Sequence, residues 1–173
     1  MITSTVKRIF NEGIQATYDW VVDAETPIKM VNAWGPMSGF KSYELKTGTW
    51  DKAGDYRTAT LDDGSTLTET LTTLTSPTYF DYELSGFSNP ALRMLVSHGR
   101  GVWHFKEMGP NRTHVTWTYG FEPRNRLVAP FVWAFMRLVY HPFMMAAFDD
   151  MERIQRSDGF GLPNGSVQIP ANR

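Results

Sequence analysis

The alternation of apolar and polar positions divides the chain into three stretches. From Ile14 to Asp23 the residues Ile14, Ala16, Tyr18, Trp20 and Val22 alternate with mostly polar neighbours, the period of a half-buried strand, and a first strand is expected there. Thr26-Pro27 has the form of a helix start, a hydroxyl cap ahead of a first-turn proline. A short helix to about Trp34 follows from it, stopped by Gly35-Pro36, and a second helical turn is expected near Met37 to Lys41. Between Tyr43 and Phe121 the chain is rich in Thr, Tyr, Val, Phe and Trp, with turn signals at Lys52 to Asp55, Asp62-Asp63-Gly64, Ser76-Pro77 and Gly109-Pro110-Asn111. These predict antiparallel strands at about 43–50, 55–61, 66–75, 78–87, 100–108 and 113–122, with a longer connection over 88–99 that includes a helical turn from Pro90 to Val96. After Glu122-Pro123 the period lengthens to about 3.6, through Leu127, Phe131, Phe135 and Leu138 to Met145. A long C-terminal helix ending near Gln155 and kinked before Pro142 is implied. Residues 157–173, with Gly, Pro, Asn and Ser and few apolar side chains, are expected to form an extended tail after a single domain over 1–156.

Turn positions suggest a register. Pairing Leu61 with Leu67 sets Ala59 opposite Glu69 and Arg57 opposite Leu71, which gathers the apolar residues on one face. A turn at Ser76-Pro77 sets Leu71 against Tyr82 and Glu69 against Leu84. Pairing Phe105 with Trp117 puts Trp103, Phe105, Val115, Trp117, Tyr119 and Phe121 on one side and His104, Lys106, His114 and Thr116 on the other. One sheet face is therefore lined with large aromatics, and the C-terminal helix is the one element long enough to cover it. The fold class is α+β, a curved sheet of about seven strands gripping one helix. A helix roughly 10–12 Å across leaves part of such a face uncovered, so a cavity is expected between them.

Composition narrows the partners. With 17 Lys plus Arg against 18 Asp plus Glu and no long basic run, nothing neutralises a nucleic acid backbone. There is no cysteine, which removes disulfides, thiolate catalysis and Fe–S or cysteine–zinc sites, and fits a cytoplasmic protein. Residues 1–13 lack a signal-peptide apolar run, and Arg137 and His141 break the stretch 127–148 into runs too short for a membrane span, so a core or interface helix is expected there. The sequons at Asn111 and Asn164 then read as loop residues. No His pair or His–carboxylate pair has metal-helix spacing, no Gly-x-Ser-x-Gly occurs, and Gly99-Arg100-Gly101 is too short for a phosphate loop, so neither metal nor cofactor is expected.

The order of elements, together with Thr47-Gly48-Thr49-Trp50, Gly54-Asp55-Tyr56-Arg57, Asp62-Asp63-Gly64 and Glu69, and the hairpin Gly101-Val102-Trp103-His104-Phe105 with Arg112-Thr113-His114-Val115-Thr116-Trp117, resembles the helix-grip fold of the START-like (SRPBCC) superfamily, in its polyketide cyclase/dehydrase and lipid-transport branch. The resemblance covers about residues 14–156. It implies a pocket for an apolar or aromatic small molecule and leaves the reaction, if any, open.

Arg57 and Glu69 stand out because both fall on the apolar face, where a charge requires a partner. They read either as a pocket wall, with the carboxylate accepting from a ligand hydroxyl, or as an ion pair that satisfies itself. Tyr82, Trp103, Trp117 and Tyr119 are expected to line the cavity from the sheet, and Phe135, Leu138 and Met145, with Met144 nearby, from the helix; core packing explains the same residues. Three functions fit: a carrier of a lipid, polyketide or aromatic metabolite; a cofactor-independent cyclase or dehydratase using Glu69, Arg57 or a tyrosine; and a membrane-surface or partner-binding module presenting Trp133 and Phe143.

Overall fold

The computed structural model describes residues 1–160. Seven antiparallel strands form one sheet in the order β1-β7-β6-β5-β4-β3-β2. The strands are β1 (Ile2–Phe10), β2 (Phe40–Leu45), β3 (Tyr56–Leu61), β4 (Thr66–Thr75), β5 (Tyr79–Ser85), β6 (Val96–Gly109) and β7 (Arg112–Pro123). Helices α1 (Ile14–Val22) and α2 (Thr26–Met30) connect β1 to β2, and α3 (Pro90–Leu95) connects β5 to β6. A continuous helix lies in the concave face, built from α4 (Ala129–Phe135), a π-helical turn (Met136–Tyr140) and α5 (His141–Asp158). This is a helix-grip fold.

The first strand is not where alternation placed it. Residues 14–22 are helical, and the buried set Thr17, Tyr18, Trp20 and Val21 follows the helical period rather than the alternating one. The edge strand is Ile2–Phe10, whose inward positions include polar Ser4 and Arg8. Both meet the C-terminal helix: Ser4 Oγ lies 2.8 Å from His141 Nδ1, and Arg8 donates to Asp149 and Glu152 at 2.7 Å each. The helical turn expected at 37–41 is absent; Trp34 and Met37 form a bridge and β2 begins at Phe40.

The two central hairpins differ from the expected register by two residues. Arg57 faces Glu69 and Ala59 faces Leu67; Trp103 faces Trp117 and Phe105 faces Val115. A shift of two keeps every side chain on its face, so the aromatic side is the one anticipated. Between β4 and β5 the pairs Leu71–Tyr82 and Glu69–Leu84 form as expected. Gly99 and Gly101 belong to strand β6 rather than to a turn: the Phe121 and Tyr82 rings lie against their α-carbons, where a β-carbon would collide with them.

Asn89 Oδ1 caps α3 by accepting from Leu92 N at 3.1 Å. At the place where a kink before Pro142 is expected the helix has the π turn. Proline has no N–H to offer the carbonyl four residues back, and the wider turn accommodates the missing bond. By length and mean hydropathy (1.3) Ala129–Ser157 is long and apolar enough to cross a membrane, but it serves here as the core helix, with Val132, Met136, Tyr140, Met144, Phe148 and Met151 buried. Of the tail expected over 157–173, Ser157 and Asp158 close α5, Phe160 packs on Phe10 and Trp20, and residues 161–173 lie outside the described residues.

Candidate functional site

The polar centre of the concave face is Arg57 on β3 beside Glu69 on β4, 3% and 2% exposed. Arg57 Nε donates to Glu69 Oε2 at 2.8 Å and Nη2 lies 2.7 Å from the same oxygen. Nη1 donates to the Ala24 carbonyl at 2.8 Å, tying the α1–α2 connection to the sheet. The guanidinium is sandwiched between rings, its Cζ 3.9 Å from the Tyr43 centroid and 3.9 Å from that of Trp50. Flat cation faces and ring quadrupoles suit one another when water is excluded.

Trp50 reaches that position through the β2–β3 loop, which Asp55 organises. Its Oδ2 accepts from Thr49 Oγ1 at 2.8 Å, Asp51 N at 3.0 Å and Lys52 N at 3.3 Å. These bonds, the Asp51 amide first, hold the Asp55 carboxyl down to about 2. The Thr-Gly-Thr-Trp and Gly-Asp-Tyr-Arg segments thus form one device: Asp55 folds the loop, the loop places Trp50, and Trp50 covers Arg57.

Rings fill most of the space beyond the ion pair. Trp103 and Trp117 stack at 4.8 Å between centroids, Phe80 stacks on Trp103 at 5.9 Å, and the helix contributes Tyr140, 4.7 Å from Tyr119, and Phe148, 6.0 Å from Trp117. What remains is a cavity of about 30 Å³ whose wall includes Tyr43, Arg57, Glu69, Tyr82, Trp117 and Tyr140. That is the volume of roughly one liquid water molecule. The wide void expected behind these side chains is therefore closed by the protein's own rings, because β7 and the helix bring aromatics to the same depth. Tyr43 Oη and Trp117 Nε1 are buried without a hydrogen-bond partner among the described residues, and both residues line this small space. Burial raises the hydroxyls of Tyr43, Tyr82, Tyr119 and Tyr140 above the ordinary phenol range, and the Glu69 charge adds to this in each case.

A larger cavity, about 280 Å³ and partly open to the surface, lies toward one end of the grip. Leu61 and Leu67 of the sheet, Phe87, Leu92, Leu95 and Val96 around α3, and Val132 and Phe135 of α4 form its apolar wall; Ser38, Asp63, Ser65, Thr66 and Asn89 supply polar groups. Its wall at Leu67 is two positions along β4 from Glu69, about 7 Å on the same face.

Of the nine residues singled out from sequence, Arg57, Glu69, Tyr82, Trp103, Trp117 and Tyr119 surround the small cavity and Phe135 alone lines the large one. Met145 packs at the edge of the core and lines neither. Leu138 is 68% exposed and points away from the sheet, because the π turn rotates the helical period past the position that extrapolation from Leu127 assigned to it. Phe143, expected on the outer side, is buried for the same reason. The α3 contribution, Leu92 and Leu95, was signalled only by the short helix within the 88–99 connection. Among the described residues no three His, Asp or Glu side chains are placed to hold a metal ion.

No protein-family model matches the chain, and no curated protein matches its sequence. Solved structures do match its fold. The protein XoxI from Bacillus cereus aligns with a TM-score of 0.64 at 15% identity, covering 91% of this chain and 97% of that one. Ginseng major latex-like protein 151 from Panax ginseng gives 0.61 at 16%, covering 88% and 97%. Ara h 8.0201 gives 0.59 at 14%, covering 86% and 97%. The latter two are Bet v 1-like proteins of the START/SRPBCC superfamily, so the likeness establishes a Bet v 1-like helix-grip fold.

Proposed function

We propose that this protein binds a small apolar or aromatic molecule in the end cavity and acts as a carrier or sequestering protein. The observation that carries the reading is the 280 Å³ space walled by sheet, α3 and α4 with mainly aliphatic and aromatic side chains. It falls just below the range of roughly 300–1,000 Å³ typical of small-molecule sites, so the ligand is compact: a short acyl chain or one or two rings. Transfer of apolar surface supplies the driving force, about 0.8 kcal/mol per buried methylene. The polar groups at Asp63, Ser65 and Asn89 suit a ligand with one hydroxyl or amine. A cytoplasmic location accords with a chain free of cysteine.

In this reading Arg57, Glu69 and the rings around them form the rigid floor of the site rather than its contact surface. A cyclase or dehydratase reaction has less support, since the inward carboxylate is held by Arg57 beside space for about one water.

The test is displacement of a fluorescent naphthylamine probe, with native mass spectrometry of protein purified from its host to detect a retained molecule. Leu92→Trp, which fills the end cavity from a half-buried position, is expected to abolish probe binding while leaving the unfolding midpoint nearly unchanged. Glu69→Gln is expected to leave probe affinity intact. Binding that survives Leu92→Trp and is lost in Glu69→Gln would move the ligand to the ion pair.

A further inference from the structure

The N-terminal part of the long helix carries apolar side chains on its outer as well as its inner side. Leu127, Phe131, Trp133 and Leu138 are 84%, 67%, 59% and 68% exposed, and Met94 on the neighbouring α3 is 73% exposed. Large side chains grouped in this way mark a docking surface. The charges carried by the helix here, by the turn leading into it and by α3 have one sign. From Pro123 to Phe148 the sequence holds no Asp or Glu, yet it holds Arg124, Arg126 and Arg137. Arg93 on α3 joins them, since Arg124 Nε donates to its carbonyl at 2.9 Å. Arg8, Arg57, Arg100, Arg153 and Arg156 each hold a carboxylate, whereas among the described residues the side chains of Arg93, Arg126 and Arg137 hold none. Beside Trp133 lies a polar recess of about 180 Å³, lined by Ser4, Thr5, Arg137 and His141 among others, which offers a guanidinium and hydroxyls to a phosphate group.

We propose that this face, formed by the outer side of α4 and the π turn with α3 beside it, docks on an anionic lipid bilayer, with Phe131, Trp133 and Leu138 entering the interfacial layer and Arg126 and Arg137 meeting lipid phosphates. Exposed Leu, Phe and Trp rimmed by unpaired arginines is the pattern of a helix lying in a membrane interface. A symmetric contact of this face with the same face of a second copy would set these arginines against one another, whereas an anionic bilayer supplies phosphates to the helix arginines and to the recess alike. The inference stands apart from the ligand reading: docking does not require the end cavity to be occupied, although α3 and α4 wall that cavity as well.

The experiment is co-sedimentation of the full chain with phosphatidylcholine vesicles, with and without phosphatidylglycerol. Binding is expected with the anionic vesicles and is expected to weaken as salt rises. Phe131→Ser with Leu138→Ser, both at exposed positions, is expected to lower the partition constant about tenfold or more while the unfolding midpoint holds. Arg126→Gln with Arg137→Gln is expected to lower it about fivefold per arginine and to remove the preference for anionic lipid. No sedimentation with either vesicle overturns the proposal, as does binding that neither pair of substitutions changes. So does light scattering that finds a dimer which Phe131→Ser with Leu138→Ser converts to monomer, for the face would then belong to a second copy.

Discussion

Replacing Glu69 by Leu leaves the Arg57 guanidinium buried between Tyr43 and Trp50 with only the Ala24 carbonyl to receive its protons. Breaking a buried pair from one side costs about 3–5 kcal/mol, because the surviving charge has neither water nor partner. For a chain of this length that lowers the melting temperature by roughly 6–20 °C. Arg57→Met is expected to cost at least as much, since Glu69 loses both its donors and the two ring faces lose a cation worth about 1–2 kcal/mol each in a dry site. The double variant Arg57→Met with Glu69→Leu removes both charges together and is expected to be no less stable than either single variant, a coupling of about 3 kcal/mol or more. Urea titrations followed by tryptophan fluorescence measure all three, with constant m-values confirming that the denatured state has not changed. Single-variant losses that simply add, within about 0.5 kcal/mol, would refute the argument that the pair holds itself in the interior.

Two pH experiments examine the surroundings of the pair. The Asp55 carboxyl sits at about 2 in the fold against an ordinary 3.8, so its contribution to stability is complete above about pH 4 and is lost as pH falls toward 2. The gap in unfolding midpoint between the parent and Asp55→Asn is expected to be widest near neutrality and to close over that interval; a gap constant with pH contradicts it. Tyr43, Tyr82, Tyr119 and Tyr140 are shifted up, so the stability they lend is whole below about pH 10 and disappears as pH rises beyond it. Absorbance titration is expected to find these four of the seven tyrosines ionising only as the protein unfolds, and more than three ionising reversibly in the native state counts against it.

The parts of the fold that sequence made legible are those where one face is predominantly apolar. Strands β3 to β7 alternate cleanly because their inward residues meet rings, and a hairpin displaced by two positions still presents the same face. β1 was obscured because its inward Ser4 and Arg8 are matched to His141, Asp149 and Glu152, residues more than a hundred positions away. Residues 14–22 misled in the opposite sense. A nine-residue helix buried on one side offers too few turns to separate a period of two from one of about 3.6. The Arg57–Glu69 pair was legible as two charges on an apolar face, but the small size of the space beside it depended on Tyr140 and Phe148 coming in from the helix. The larger cavity depended on a six-residue helix, α3, too short to leave a periodic signal.

The π turn at Met136–Tyr140 divides the long helix into portions with different duties. Beyond it, Arg8 bolts α5 to the edge strand through Asp149 and Glu152, and Phe148 is wedged among the indoles. Ahead of it, α4 spans only Ala129–Phe135 and closes one wall of the end cavity. Under the ligand-binding proposal, widening this partly open cavity calls for moving about two helical turns and not the whole helix, with the wide-pitched segment ahead of Pro142 as the pivot. Under the same proposal such widening is separate from global unfolding, because the keel formed by α5 stays fastened to the edge strand through Arg8.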